Sequence, residues 1–366
     1  MKSLKKRKLT RKQKNLLGLV SVVVLIGISI AVWLLSKGSS TIDQDFHIQS
    51  ANKIVRIVIK DKSNNSSELD KKTDSLWYVN KKYEANLTLV NTVLSTLEQM
   101  RIREPIPKSA KNSVIKDLAA DGRTVEVYTE DYLIDFWFVR LFKRTHLAAT
   151  YFVGHETPDE MGTFMLRKGD KTPYVIYIPN FRGYLATRFT AKEDAWRTHN
   201  IFKYKQSEIE SISIELPSDK SESFTLVNNG KGFSFVNANG QTVPAFDTTK
   251  VVALLSSFVE MNYERLARNI TPTERDTIFT KDPSFVITVK DKKGKTEYLK
   301  TFVKLADPNS IATDENDFYQ IFDINRCYAL TSKMADTLIM QFFTLDNVLK
   351  PASYFMPGAE GLPYIK

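Results

Sequence analysis

Cysteine is all but absent from this chain: one residue, Cys327, in 366. A single thiol cannot close an internal disulfide, so the fold must be held by its apolar core. For the same reason the sequence offers no cysteine near the N-terminus for lipid attachment. Histidine is nearly as scarce. His47, His146, His155 and His199 are scattered, with no pair at the four-residue spacing of a zinc-binding helix. Glycine amounts to 14 residues, and none builds a dinucleotide fingerprint, a phosphate-cradling loop or a Gly-x-Ser-x-Gly elbow. No metal site or cofactor is expected on these grounds.

Charge of one sign is missing where a nucleic-acid binder would need it. The formal net charge is +10, but nine lysines and arginines lie in residues 1–37, which hold no acid. The rest of the chain is within about one charge of neutrality. A nucleic-acid partner therefore loses the basic footprint it would require.

What is present is a long hydrophobic run. Residues 16–35, LLGLVSVVVLIGISIAVWLL, open at Leu16, close at Leu35 and contain no charge. As a helix they extend roughly 30 Å, the thickness of a bilayer's hydrocarbon core. The sequence predicts a transmembrane helix at 16–35 after a basic cytoplasmic tail at 1–15, with the lipid bilayer as its first partner. Eight cations precede the run and Lys37 alone closely follows it, which places the N-terminus in the cytoplasm and the body outside. A cleaved signal peptide has the same basic-then-apolar layout, but its apolar core is shorter, and Ser36-Lys37-Gly38-Ser39-Ser40 offers no clear small-x-small site.

After a polar linker at 36–50, the pattern reads as strand, turn, strand, strand and then an amphipathic helix. Ile54, Ile57 and Ile59 mark the first strand, and Leu76-Trp77-Tyr78-Val79 the third. Asn86 caps a helix with Val90, Val93, Leu94 and Leu97 on one face, stopped by Pro105 and Pro107. A second helix spans 109–120 and ends at Gly122, in the place of a left-handed cap. Strands are expected at 124–128, 132–142, 147–153, 162–166 and 174–178.

The pattern then restarts. Ile209, Ile212 and Ile214 lie 155 residues after Ile54, Ile57 and Ile59, while Asp247, Val251, Leu254, Leu255 and Phe258 follow Asn86, Val90, Val93, Leu94 and Leu97 at a constant 161. Thr271-Pro272-Thr273-Glu274 opens another short helix with a capping box. Strands follow at 285–290, 296–304, 318–322 and 327–330, and Ser332 heads an expected last helix bearing Met334, Ala335, Leu338, Ile339 and Phe342. The fold class is α+β: an N-terminal transmembrane helix followed by two repeated α+β units, 51–205 and 206–366, with mostly antiparallel sheets.

Chemistry-bearing residues are few. Loop 154–162 holds His155, Glu156, Asp159 and Glu160, which read either as an acid/base or metal site or as a solvated hairpin turn shaped by Pro158 and Gly162. Asp314, Glu315 and Asp317 form a second acidic loop. Cys327 beside Tyr328 reads as a small buried hydrophobe rather than a nucleophile served by His199. Trp137 and Trp196 are the aromatic candidates for lining a ligand site.

Several segments carry a family resemblance: Leu76-Trp77-Tyr78-Val79-Asn80 with Tyr83, residues 114–122, and Tyr151-Phe152-Val153-Gly154 running into Thr157-Pro158-Asp159 and Gly162-Thr163. Tyr177-Ile178-Pro179, Gly183-Tyr184-Leu185, Trp196-Arg197 and Ile201-Phe202 extend it. Over roughly 46–220 the chain resembles the bacterial envelope proteins grouped as domain of unknown function 4340. The resemblance implies a protein anchored in the bacterial inner (plasma) membrane with an extracytoplasmic body. It implies no assigned activity and no catalytic residue, and some relatives are similar to auxiliary parts of gliding-type ABC transporters. The expectation is a non-catalytic module that binds another envelope protein or an ABC-transporter-type export complex. A binding module for a polymer or small ligand, and a hydrolase using loop 154–162, are the alternatives.

Overall fold

The computed structural model describes residues 11–36, 46–136, 139–306 and 321–359. The first element is a helix, α1 (Arg11–Ser36), which carries the apolar run. Its described side chains from Leu19 to Ile28 that are apolar and large are 52% to 65% exposed. Among the described residues no helix is long and apolar enough to cross a membrane.

The chain divides into two compact units, Met1–Thr198 and His199–Lys366. The division falls seven residues before the 205/206 boundary expected from the strand pattern, because a short strand at 200–202 pairs within the second unit.

The globular part of the first unit runs β1 (Ile54–Lys60), β2 (Ser66–Thr73), β3 (Leu76–Val79), β4 (Tyr83–Glu84), α2 (Leu87–Gln99), β5 (Arg101–Pro105), α3 (Lys108–Asp121), β6 (Arg123–Phe136), β7 (Val139–Glu156), β8 (Thr163–Arg167), β9 (Tyr174–Tyr177) and α4 (Glu193–Trp196). The second runs β10 (Asn200–Phe202), β11 (Ile209–Glu215), β12 (Phe224–Asn228), β13 (Phe233–Asn237), β14 (Thr242–Val243), α5 (Thr248–Ser257), β15 (Met261–Asn262), β16 (Arg265–Leu266), α6 (Pro272–Phe279), β17 (Phe285–Asp291), β18 (Thr296–Leu305), β19 (Phe322–Thr331), β20 (Leu338–Gln341) and α7 (Phe342–Leu345).

Each unit is built on a nine-stranded sheet. The orders are β4-β3-β2-β1-β6-β7-β8-β9-β5 and β14-β13-β12-β11-β17-β18-β19-β20-β16, one connectivity drawn twice. The described pairings in both are antiparallel. In β1, Ile57 and Ile59 alternate inward, and Ile54 joins them through a register shift before Arg56. In β11, Ile212 and Ile214 alternate inward, and Ile209 joins them through the same shift before Ser211. That irregularity lets three isoleucines that are not all an even number apart share one face.

The helix stripes cover these faces. Val90, Val93 and Leu97 of α2 pack on Ile57, Ile59, Val125 and Val127, and Val251, Leu254 and Leu255 of α5 on Ile212, Ile214 and Val289. The caps match atom for atom. The Asn86 side chain accepts from the N–H groups of Thr88 and Leu89, and the Asp247 side chain from those of Thr249 and Lys250. The cap N–H groups are bound as well, Asn86 to the Trp196 carbonyl at 2.7 Å and Asp247 to that of Phe355 at 2.7 Å. Asn86→Ala and Asp247→Ala are each expected to cost about 1 kcal/mol. Faster hydrogen exchange confined to the α2 or the α5 amides would check this.

On the opposite face of the first sheet, α3 packs Val114 and Leu118 on Val175, with Phe152, Phe164 and Leu166 around them. Gly122 ends α3 without a left-handed conformation, at φ −64. A Cβ there would collide with the carbonyl oxygen of Leu118, so the close approach of backbone requires the glycine.

Two expected elements come out differently. The strands expected at 124–128, 132–142 and 147–153 are one long hairpin, β6 and β7, paired from Arg123↔Val153 to Phe136↔Val139. The helix expected after Ser332 is instead β20, in which Leu338, Ile339 and Met340 are all buried between β19 and β16. A short run buried on both faces has no period of its own, and the i, i+3, i+4 matches around it were accidental. The strand expected at 318–322 falls outside the described residues except for its end, where β19 begins.

Candidate functional site

Loop 154–162 connects β7 to β8, and its side chains organise the turn. The Asp159 carboxylate accepts from the Thr157 hydroxyl at 2.5 Å, from the Met161 N–H at 3.1 Å and from Arg103 at 2.9 Å. The Thr157 N–H donates to the Gly162 carbonyl, and the Glu160 N–H to the Thr157 carbonyl. The Thr157 hydroxyl first, then the Met161 N–H and Arg103, hold the Asp159 carboxyl down at about 2. An NMR titration should find its midpoint near pH 2, with the turn intact at every pH above that. Such a carboxylate is a poor general base at neutral pH, and its lone pairs are committed. His155 stands elsewhere on the loop, exposed, with Nε2 4.0 Å from Asp121. The structure thus gives His155 and Asp159 different partners.

Trp196 closes α4 inside the first core, 2% exposed, with Nε1 donating to the Thr190 carbonyl at 2.8 Å. Its neighbour Arg197 is equally buried, stacked on Tyr83 with the guanidinium 3.5 Å from the ring centroid. Both residues seal the core. Trp137, Asp314, Glu315 and Asp317 lie outside the described residues.

Cys327 is buried in β19, and burial pushes its thiol up to about 12. So little thiolate forms at neutral pH that the group behaves as a hydrophobe. His199 stacks on Tyr263 with ring centroids 4.5 Å apart. Among the described residues no three His, Cys, Asp or Glu side chains are grouped to hold a metal ion.

A buried ionisable cluster in the second unit had no sequence motif to announce it. Glu297 of β18 is 2% exposed on the core side of the sheet. It accepts the Tyr204 hydroxyl at 2.7 Å and meets Lys295 at 2.5 Å and Lys333 at 3.3 Å. Burial alone would raise its carboxyl, but Lys295, Tyr204 and Lys333 outweigh it and hold the group below its ordinary value. By register Glu297 stands opposite Val289, in the position that Ala149 takes opposite Val127 in the first unit. There a neighbouring residue does the same work: the Tyr151 hydroxyl donates to the Phe46 carbonyl at 2.8 Å. In both units a buried tyrosine ties the segment before the first sheet strand to the hairpin, so the cluster is a tether.

Beyond the cores, β18 and β19 extend into an arm on which Val303, Leu305, Ile321, Phe322 and Ile324 are each more than half exposed. Its charged pair, Lys304 and Asp323 at 3.0 Å, is mostly shielded. The usual arrangement of a strand arm in water is thereby reversed. Sequence could not reveal this patch, since apolar residues in strands read as core.

The fold is that of an antiparallel α+β protein of two like-connected units, its polar side chains spent on caps, turns and tethers. A family model described as domain of unknown function 4340 matches residues 77–283, and the chain belongs to that family. The match begins within β3 and ends just before β17, so it crosses both units. Neither a curated protein nor a solved structure is matched.

Proposed function

We propose that this chain is a non-catalytic, single-pass envelope protein. The helix at 16–35 anchors it in the plasma membrane with the N-terminus cytoplasmic, and two copies of one α+β unit outside the membrane bind another envelope protein, such as an ABC-transporter-type export complex. The observation that carries the anchor is the uncharged run within α1, whose large apolar side chains from Leu19 to Ile28 are more than half exposed. An isolated apolar helix is stable where lipid takes up that surface. The cations ahead of the run set the direction. Support for a protein partner comes from the apolar arm of β18 and β19, since a contiguous exposed apolar patch of this kind marks a contact.

Two measurements test this reading. A tag placed after Lys366 should be digested by protease added outside intact cells or spheroplasts. A tag cleaved only after lysis would reverse the topology. A photo-crosslinking residue at Phe322 should give one discrete protein adduct in cells, absent when the same residue replaces the exposed Lys220. Equal labelling at both positions, or none at Phe322, would remove the partner surface.

A further inference from the structure

The first unit gathers cations in one stretch without acids to match. Between Asp170 and Glu193 the chain has Lys171, Arg182, Arg188 and Lys192 and not one carboxylate. Among the described side chains of the unit's globular part, Arg56, Arg103, Arg144, Arg167 and Arg197 each meet an acid, at 2.7 Å to 3.7 Å. Arg101, Arg123, Arg182 and Arg188 meet none among the described residues, and Arg123 acts on Asp61 only from beyond ion-pair distance. All four belong to the stretch 177–188 or touch it. Arg101 stands opposite Tyr177 in the pairing of β5 with β9, and Arg123 donates to the Ala186 carbonyl at 2.9 Å. The matching stretch after β20 in the second unit balances its charge, with Lys350 on Asp346 at 3.0 Å.

Arg188 is the best positioned of the four. Its guanidinium lies over the Phe181 ring, 4.3 Å from the centroid, and Nη1 donates to the Thr96 hydroxyl at 2.8 Å. That hydroxyl is itself fixed, because it donates to the Thr92 carbonyl. The ring is 36% exposed and is held by the loop: Gly183, at φ +132, passes so close that a Cβ there would stand 3.3 Å from it. With Nη1 engaged, the edge formed by Nε and Nη2 has no acceptor among the described residues. This edge is the one that grips two oxygens of a single anion. Burial presses the guanidinium below its ordinary value, and no neighbouring carboxylate offsets that. A charge drawn partly out of water is normally paired.

We propose that Arg188, stacked on Phe181, is the seat of an anion site whose ligand is a phosphate group. A carboxylate brings one negative charge and a phosphate monoester about two, so the surplus of cations around 177–188 favours the phosphate. Arg188 grips it through the free edge, and Arg182 adds its charge from the exposed turn. Free phosphate, a small ester and a lipid headgroup all offer this chemistry.

The test is calorimetric titration of the whole chain, in nonionic detergent at mildly alkaline pH, with inorganic phosphate, glycerol phosphate and dibutyryl phosphatidic acid. Whichever of the three binds most tightly names the source of the phosphate. Arg188→Gln should weaken that binding about tenfold, the effect of losing a charged pair of hydrogen bonds. Arg188→Lys keeps the charge and the fold but not the fork, and should weaken it about fivefold. Arg182→Gln, at an exposed position, should weaken it about twofold. Arg275→Gln takes a cation from the second unit and should leave it unchanged. Absence of binding by all three compounds overturns the site. So does binding that survives both Arg188 variants, and so does equal weakening by Arg275→Gln, which would mean diffuse attraction to a basic protein.

Discussion

Trp196→Ala is expected to cost the first unit about 3–5 kcal/mol, the range for emptying a core site of its largest side chain. Three connections converge on this short stretch. The indole fills the core and donates to the Thr190 carbonyl. The Trp196 carbonyl receives the cap N–H of α2 at Asn86, and the next residues hold β4 through the Ala85↔Arg197 bridge and the Thr198 N–H to the Glu84 carbonyl at 2.8 Å. Trp196→Phe keeps most of the volume but leaves the Thr190 carbonyl without its donor, and should cost about 1–3 kcal/mol. Hydrogen exchange of the α2 amides in the whole chain reads both values. If the alanine variant moved those amides by less than about 1 kcal/mol, the closing role of 196–198 would be refuted.

Removing one member of the tether in the second unit has the next largest effect. Glu297→Ala leaves the buried Tyr204 hydroxyl without its acceptor and should cost about 1–3 kcal/mol, since Lys295 and Lys333 keep contact with water when the carboxylate is gone. Glu297→Gln can still accept from Tyr204 and should cost less. The pH dependence has a definite sign. A carboxyl held below its ordinary value in the folded state binds its proton more readily when unfolded. Its contribution is complete above the unfolded value of about 4.3, and fades as pH falls through the lower native value. The wild-type second unit should therefore weaken in acid more steeply than the Glu297→Gln protein. Parallel acid limbs for the two would show that the charge of Glu297 does not matter to folding.

Much of the architecture could be read from residues because it recurs. The 161-residue offset between the two caps and their helix stripes picked out α2 and α5, and the isoleucine triplets picked out β1 and β11. What failed to show was information that neighbours supply. Whether Leu338-Ile339-Met340 is helix or strand is decided by β16 and β19 on its two sides. Nothing in the residues of 123–156 shows that two strands run on past their partners. Gly122 looked like a conformational requirement and is a steric one.

The site was less legible than the fold. Loop 154–162 displays acids and a histidine side by side in sequence, but the turn gives the Asp159 lone pairs to Thr157, Met161 and Arg103. Glu297 has its tyrosine and one of its lysines far away in sequence. The apolar arm of β18 and β19 is visible only once its exposure is known.

The placement of β5 dictates an order of events during synthesis. It is made between the two helices, yet its only described partner is β9, about seventy residues downstream. A nascent chain therefore carries one sticky border until residue 177 has been made, and the same wait recurs for β16 and β20. Arg101, Arg103, Glu104 and Pro105 are what that border presents meanwhile, charges and an imide that discourage association with a neighbour's strand. A chaperone that meets the polypeptide during synthesis would have to shield that border over the whole interval.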